Sequence, residues 1–247
     1  MKYAGGKARE IKYFSKYFPS SFDRYIENFV GGGAVYFYLN PDKAIINDLN
    51  YDLINFYKEV KLNGHLVVDE VKNFSTEKYM YNGMRTRKFN SEFMQAVRYF
   101  YLNKTAYSGL MRYNSKGEFN TPYGNYKNPN FEIKEDQIEL IKRTDIYNCD
   151  FKDIPITYKK DDFCFIDPPY SGTWGGYNKV LFTDKNQEDL YHWFLNSLAQ
   201  VMIVINKVPL IENLYKRYIK NEYNITYGID IKDGQKKVKT HLIITNY

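Results

Sequence analysis

The stretch Phe163-Cys164-Phe165-Ile166-Asp167-Pro168-Pro169-Tyr170 is an apolar run that ends in an acid, two prolines and an aromatic ring. The run reads as a buried strand. Prolines have fixed φ and give no N–H to a ladder, so the chain after Ile166 can neither continue the sheet nor fold into helix. A carboxylate, a main-chain carbonyl and a flat ring are thereby held at the edge of a sheet. That set suits a planar ring with an exocyclic amino group: Asp167 and the carbonyl of Pro168 accept from the amine, and Tyr170 stacks on the ring. A flipped adenine fits this description. The plainer reading is a strand-to-turn connection that uses proline as punctuation.

Outward from this stretch, short β-rich runs alternate with helical stretches, which indicates a parallel sheet with helices on its faces. Strands are expected at 25–29, 43–46, 145–148, 163–166, 201–205, 225–227 and 242–245, and helices at 8–17, 34–39, 49–61, 135–142, 187–199 and 209–220. Between about Gly64 and Asn130 the alternation lapses into helices and then a polar stretch, Ser115 to Pro129, so this interval reads as an insertion. After the first strand comes Glu27-Asn28-Phe29-Val30-Gly31-Gly32-Gly33-Ala34, a turn whose glycines allow a ligand to approach the backbone. An ordinary βα turn is the competing reading. A dinucleotide fingerprint would need a further glycine where Tyr36 stands, which disfavours NAD or FAD. The second strand ends at Asn47-Asp48, where an acid can hold a ribose or cap the following helix. The third ends at Cys149-Asp150-Phe151, at the same C-terminal edge. Near the start, Tyr3-Ala4-Gly5-Gly6-Lys7 is a flexible turn and a lysine that needs an anionic partner to be more than solvated.

Lys plus Arg number 35 and Asp plus Glu 29, a net charge of +6 that favours a polyanionic partner and serves solubility equally well. The two cysteines, Cys149 and Cys164, lie in or beside strands and read as buried thiols in a reducing compartment. No Cys/His cluster suggests zinc, and His65, His192 and His241 share no metal-ligand spacing, so each is expected to be structural or on the surface. No run approaches the ~20 apolar residues of a membrane span. A soluble, intracellular protein is expected. Lys236-Lys237-Val238-Lys239 reads as a solvated hairpin face, with a phosphate contact as its alternative.

Taken in order, these segments resemble the Dam-type DNA adenine-N6 methyltransferases of the α group, the D12 class. The likeness rests on the AGGK turn, the F-x-G-x-G turn, DPPY, and the stretch from Tyr101 to Gly124, which is similar to the Dam recognition hairpin almost residue for residue. The resemblance implies an α/β, Rossmann-like S-adenosylmethionine-dependent methyltransferase sheet with an inserted helical and hairpin target-recognition domain. The catalytic domain would span 1–60 and 145–247, and the recognition domain 61–144. Phe29, Gly31 and Gly33 would line the S-adenosylmethionine site, Asp48 would hold its ribose, Asp150 and Phe151 its adenine, and Tyr3 and Lys7 would border its methionine end. Asp167, Pro168 and Tyr170 would hold the target base. In double-stranded DNA, Arg112 would read a guanine edge and Leu110 and Pro122 thymine methyls, Tyr107 would fill the gap left by the flipped adenine, and Lys2 would reach the first base. Ser108, Asn125 and Tyr126 would complete the DNA-contacting set, which implies GATC or a near relative. Neither a metal nor a membrane is implied, and the setting would be a bacterial cytoplasm or a virus-infected cell.

Three positions depart from the family pattern. Asn28 stands where proline is usual, Ser108 where asparagine is usual, and Asn125 where a basic phosphate contact is usual. Other substrates stay open: an RNA adenine, a cytosine N4 or a glutamine side chain. A DNA-binding relative without catalysis is the reading from a different class. The duplex-reading insertion argues for DNA, and the intact Asp167, Gly31, Gly33 and Asp48 argue for catalysis.

Overall fold

The structure is a computed structural model, described here for residues 1–3, 5–170, 182–229 and 236–247, with the backbone alone for 227–229 and 236–237. Among the described residues seven strands form one sheet: β1 (Arg24–Glu27), β2 (Ala44–Asn47), β3 (Thr144–Tyr147), β4 (Asp162–Ile166), β5 (Gln200–Asn206), β6 (Ile219–Ile229) and β7 (Lys236–Thr245). Their order is β3-β2-β1-β4-β5-β7-β6, with β1 to β5 mutually parallel where they pair and β7 antiparallel to β5 and β6. The parallel part is the sheet that the alternating pattern indicates, and the whole is the Rossmann-like sheet that the resemblance implies.

All five residues of β4 are buried. Phe163 and Phe165 face one core with Phe14, Tyr25 and Met202, while Cys164 and Ile166 face the other with Leu190, Phe194 and Tyr215. A strand covered on both faces has no reason to alternate polar and apolar residues, hence the continuous apolar run. The chain winds from β1 through β2 to β3 on one side and from β4 through β5 on the other. Ile26 pairs with Cys164 and Glu27 with Phe165 across the switch between them. Ligands bind at such a switch, outside the C-terminal strand ends. The glycine turn after β1 and the prolines after β4 therefore become neighbours.

The helices are α1 (Ile11–Phe14), α2 (Ala34–Leu39), α3 (Tyr51–Lys72), α4 (Lys78–Thr86), α5 (Glu92–Thr105), α6 (Glu135–Lys142), α7 (Asp184–Asn196) and α8 (Pro209–Tyr215). The single helix expected over 8–17 is instead three short pieces, with 3-10 turns at Lys7–Arg9 and Ser15–Tyr17 flanking α1. Phe18 must be extended before Pro19, which stops the helix, and its φ of −60° and ψ of 148° show that it is. α3 runs past its expected end through a distorted Asn63, whose φ is −137°. Gly64 packs there against Ile138 of α6, so tertiary contact carries the helix through a sequence that reads as a stop. α8 stops five residues early because the chain is drawn into β6, whose Ile219 pairs with Ile244. Among the described residues no helix is long and apolar enough to cross a membrane, and no group of acidic, His and Cys side chains could hold a metal.

Candidate functional site

Asp167 leaves the end of β4 half-buried, and its Oδ1 lies 2.8 Å from the Nζ of Lys7, which is only 3% exposed. Lys7 thus has the anionic partner its sequence context lacked. Its ammonium also reaches the carbonyl of Gly5 at 3.2 Å and the hydroxyl of Tyr170 at 3.5 Å. Burial pushes the Asp167 carboxyl above the usual carboxylate range, against the pull of the Lys7 charge and hydrogen bond. Pro169 is anchored from behind, its carbonyl accepting from Nε2 of the buried Gln187 at 3.0 Å. The result is a rigid edge with an acidic acceptor, a cation and a partly exposed aromatic ring side by side. The aromatic-rich segment that follows Tyr170, residues 171–181, lies outside the described residues, as does Ala4.

The glycine turn after β1 has φ of +47° at Gly31 and +68° at Gly33. A Cβ on Gly33 would come within 2.9 Å of Phe37 and of the Tyr57 hydroxyl, and one on Gly31 within 2.8 Å of the Tyr3 ring. Neither position admits a side chain without displacing what lies against it. Asp48 closes this turn: one oxygen accepts from Gly31 N at 3.0 Å and the other from Asn50 N at 2.9 Å. The α3 cap is Asn50, which accepts from Leu53 N, so the capping role considered for Asp48 belongs to its neighbour. Burial pushes the Asp48 carboxyl up, opposed by those main-chain bonds.

Asn28, standing in place of the usual proline, is fully buried, and its amide donates to Tyr158 at 3.1 Å while its oxygen lies 3.2 Å from the Cys164 sulfur. The stiffness a proline would give the turn is replaced by bonds to the neighbouring β4 and to the loop before it. Glu27, one residue earlier, takes the Tyr25 hydroxyl at 2.8 Å, and burial drives its carboxyl far above the usual range. At the third strand end, Phe151 is buried and Asp150 half-buried, with Asp150 accepting from Lys152 N at 3.0 Å. Phe29, Phe151 and Phe182 form an aromatic cluster with ring centroids 5.4 to 6.4 Å apart.

In the insertion, Tyr107 N bonds the carbonyl of Pro122 and Asn120 N that of Arg112, giving a hairpin-like arm closed by a turn at Asn114 to Glu118. Arg112 is exposed, and its Nε is steered by the Asn120 side chain at 2.9 Å. Leu110 is half-buried, Pro122 exposed, and Tyr107 58% exposed. Ser108 has φ +54° and Asn125 φ +52°, a left-handed conformation that asparagine tolerates better than serine. Ser108 N donates to the Tyr126 hydroxyl at 2.9 Å, and Lys2 Nζ sits 3.9 Å from the Tyr126 ring centre. Lys2 is tied by its backbone to Asn103, which accepts from Lys2 N and donates to Lys2 O. Gly109 permits this approach, since a Cβ there would lie 2.5 Å from that of Lys2. Lys2, Ser108 and Tyr126 are thus brought together, while the Arg112 side chain is held on the arm by Asn120.

Three groups at the site carried no sequence signal. Asn47, fully buried, donates from Nδ2 to the carbonyls of Asn28 and Cys149, both at 3.0 Å, and accepts from Cys149 N at 3.1 Å, lacing together the ends of β1, β2 and β3. Phe182 lies beyond the proline motif with nothing local to mark it. His241, fully buried as a structural histidine would be, also has its Nε2 3.2 Å from the Tyr170 hydroxyl. Of the cysteines, Cys164 is buried as expected but Cys149 is only half-buried, because β3 is an edge strand. In the basic run, Val238 is 57% exposed, Lys239 lies 5.1 Å from the Tyr170 ring centre, and the side chains of Lys236 and Lys237 are outside the description.

A family model for the D12 class N6 adenine-specific DNA methyltransferases matches residues 3–231. The type II methyltransferase M.CviBI of Paramecium bursaria Chlorella virus NC1A is 33% identical over 257 residues, covering 100% of this chain and 98% of the relative. The retron Ec67 DNA adenine methylase of Escherichia coli is 31% identical over 259 residues, with 98% and 89% covered. The DNA adenine methylase of Haemophilus influenzae is 35% identical over 184 residues, with 69% and 63% covered.

Proposed function

The chain belongs to the D12 class of N6 adenine-specific DNA methyltransferases, and from that premise we propose that it methylates N6 of an adenine flipped out of duplex DNA, in GATC or a close relative, using S-adenosylmethionine. The observation that carries the reading is the Asp167–Lys7 pair beside Tyr170 at the sheet switch point. The residues at the edge fit the methyl donor. Asp48 is an acid suited to a ribose, the clustered Phe29, Phe151 and Phe182 rings offer an apolar surface for a purine, and Asp150 precedes Phe151 in the chain. Tyr3 and Lys7 border the remaining end. When bound, S-adenosylmethionine supplies a methyl group activated by a sulfonium.

The work of the protein is then to position an amine. The N6 lone pair of adenine is delocalised into the ring, and hydrogen bonds from N6 to Asp167 and to the Pro168 carbonyl favour a tetrahedral nitrogen. Orientation of this kind can supply up to ~7–11 kcal/mol. Asp167 also offsets the positive charge that grows on N6, and Lys7 keeps its carboxylate aimed. Flipping the base costs a few kcal/mol, and stacking on Tyr170 returns ~1–3 kcal/mol. Residues 61–144 serve as the recognition unit, with Arg112 on a guanine edge, Leu110 and Pro122 on thymine methyls, Tyr107 in the vacated stack and Lys2 at the first base. Ser108, Asn125 and Tyr126 shape the turn from which these contacts are made.

The test is a labelled-methyl assay with duplexes containing GATC, the same duplexes premethylated, single-stranded RNA, adenine-free G·C duplexes and a glutamine-bearing peptide. Labelling confined to unmethylated adenine duplexes is expected. Label on RNA, on cytosine or on the peptide would redirect the reading, and failure to bind S-adenosylmethionine would leave a DNA-binding relative.

A further inference from the structure

Behind the exposed face of Tyr170 lies a buried chain of hydrogen bonds that the reaction as described does not use. Glu10, 3% exposed between the first 3-10 turn and α1, receives the Tyr223 hydroxyl at 2.7 Å and His241 Nδ1 at 2.7 Å. Burial pushes the Glu10 carboxyl up, but the bond from His241, the charge of Lys7 and the bond from Tyr223 outweigh it and hold the group below its usual range. An ionised carboxylate only accepts, so Nδ1 carries the hydrogen, and in the neutral ring Nε2 is left as an acceptor. Nε2 faces the Tyr170 hydroxyl at 3.2 Å, and that oxygen in turn lies 3.5 Å from the Lys7 ammonium. With the imidazole neutral the directions are compatible along the chain: Lys7 donates to Asp167 and to Tyr170, Tyr170 to His241, and His241 to Glu10.

His241 sits on β7 opposite Asn206 of β5 and Tyr223 of β6, inside the sheet, so its ring is held by strands on both sides. Tyr223 is itself fixed by Tyr13, stacked on it at 4.8 Å with planes 12° apart. A ring braced in this way can orient what it bonds.

We propose that His241, backed by Glu10, is a positioning residue for methyl transfer. By accepting the Tyr170 hydroxyl it fixes the ring that receives the target adenine, and it leaves the Tyr170 oxygen to receive Lys7, which aims Asp167. This rests on the reading of Tyr170 as the stacking ring.

The experiment is a double-mutant cycle in single-turnover methylation of duplex DNA, using Tyr170→Phe, His241→Asn and the pair. The amide of asparagine occupies the place of Nδ1 and keeps a donor for Glu10, but it does not reach Tyr170. His241→Gln reaches the place of Nε2. Each of Tyr170→Phe and His241→Asn should slow the single-turnover rate about tenfold, and the pair about tenfold rather than a hundredfold, because contacting residues are coupled. His241→Gln should recover most of the rate, and KM for DNA should stay within about twofold, since the lost bond orients Tyr170 and does not itself hold the DNA. Multiplying losses, or a full rate in either single variant, would overturn the proposal, and Tyr170→Phe decides alone should His241→Asn not fold. Tyr170→Ala separates this from the underlying reading: wild-type turnover there removes the stacking role itself, whereas inactivity with an additive cycle removes only the role of His241.

Discussion

Asn47→Ala tests whether the cofactor edge is held by one buried amide. The side chain makes three bonds to main-chain groups on two other strand ends: two carbonyls, of Asn28 and Cys149, and one N–H, of Cys149. Alanine leaves all three without that partner. An unsatisfied buried N–H costs about 1–3 kcal/mol, and each lost bond to a carbonyl about 0.5–1.5 kcal/mol. The sum is about 2–6 kcal/mol, and Cys149 is half-buried, so water can reach it and the lower half of that range applies. At about 2–4 °C per kcal/mol for a domain of this size, the melting temperature should fall by about 4–16 °C. The same substitution frees the turn bearing Phe29 and the loop bearing Asp150 and Phe151. Affinity for S-adenosylmethionine, measured by titration calorimetry well below the melting temperature, should therefore drop at least several-fold. A melting temperature within 2 °C of wild type, roughly the shift of less than one kcal/mol, together with unchanged affinity would refute the reasoning.

Tyr170→Ala should cut turnover sharply with little change in thermal stability, measured side by side by methylation and calorimetry. Arg112→Ala should cost ~1–3 kcal/mol at one guanine and relax specificity there; equal losses on every duplex would make it a phosphate contact. Glu27 has a folded pKa raised above its unfolded value by burial, so it binds a proton more tightly in the folded state, and stability present at acid pH is lost as pH rises through the window between the two values. Glu27→Gln should flatten that dependence in urea melts across pH 4–8, and an unchanged slope would contradict it.

The strands at the sheet centre were legible because a strand covered on both faces is a continuous apolar run, as in Phe163 to Ile166. The antiparallel edge was less so. β6 covers 219–229 where only 225–227 was expected, because Asn221, Glu222 and Asn224 are polar residues on an edge strand and their pairing with β7 is set by tertiary contact. Helix ends misread at Asn63-Gly64 and at Lys216 to Lys220 for the same reason. At the site, the acids, glycines and prolines announce themselves because their backbone or charge is unusual where they stand. Glu10 and His241 do not, lying 231 residues apart in sequence and meeting only through the fold. Asn47 was visible as the end of a strand, but nothing local says that its amide spans three strand ends.

The most direct measurement maps N6-methyladenine by single-molecule sequencing on unmethylated plasmid DNA treated with the protein and S-adenosylmethionine, beside an Asp167→Ala control. The account expects the mark on the adenine of GATC, or of one closely related palindrome, on both strands and none with the control. Plasmid without N6-methyladenine, or a mark that persists with Asp167→Ala, would contradict it.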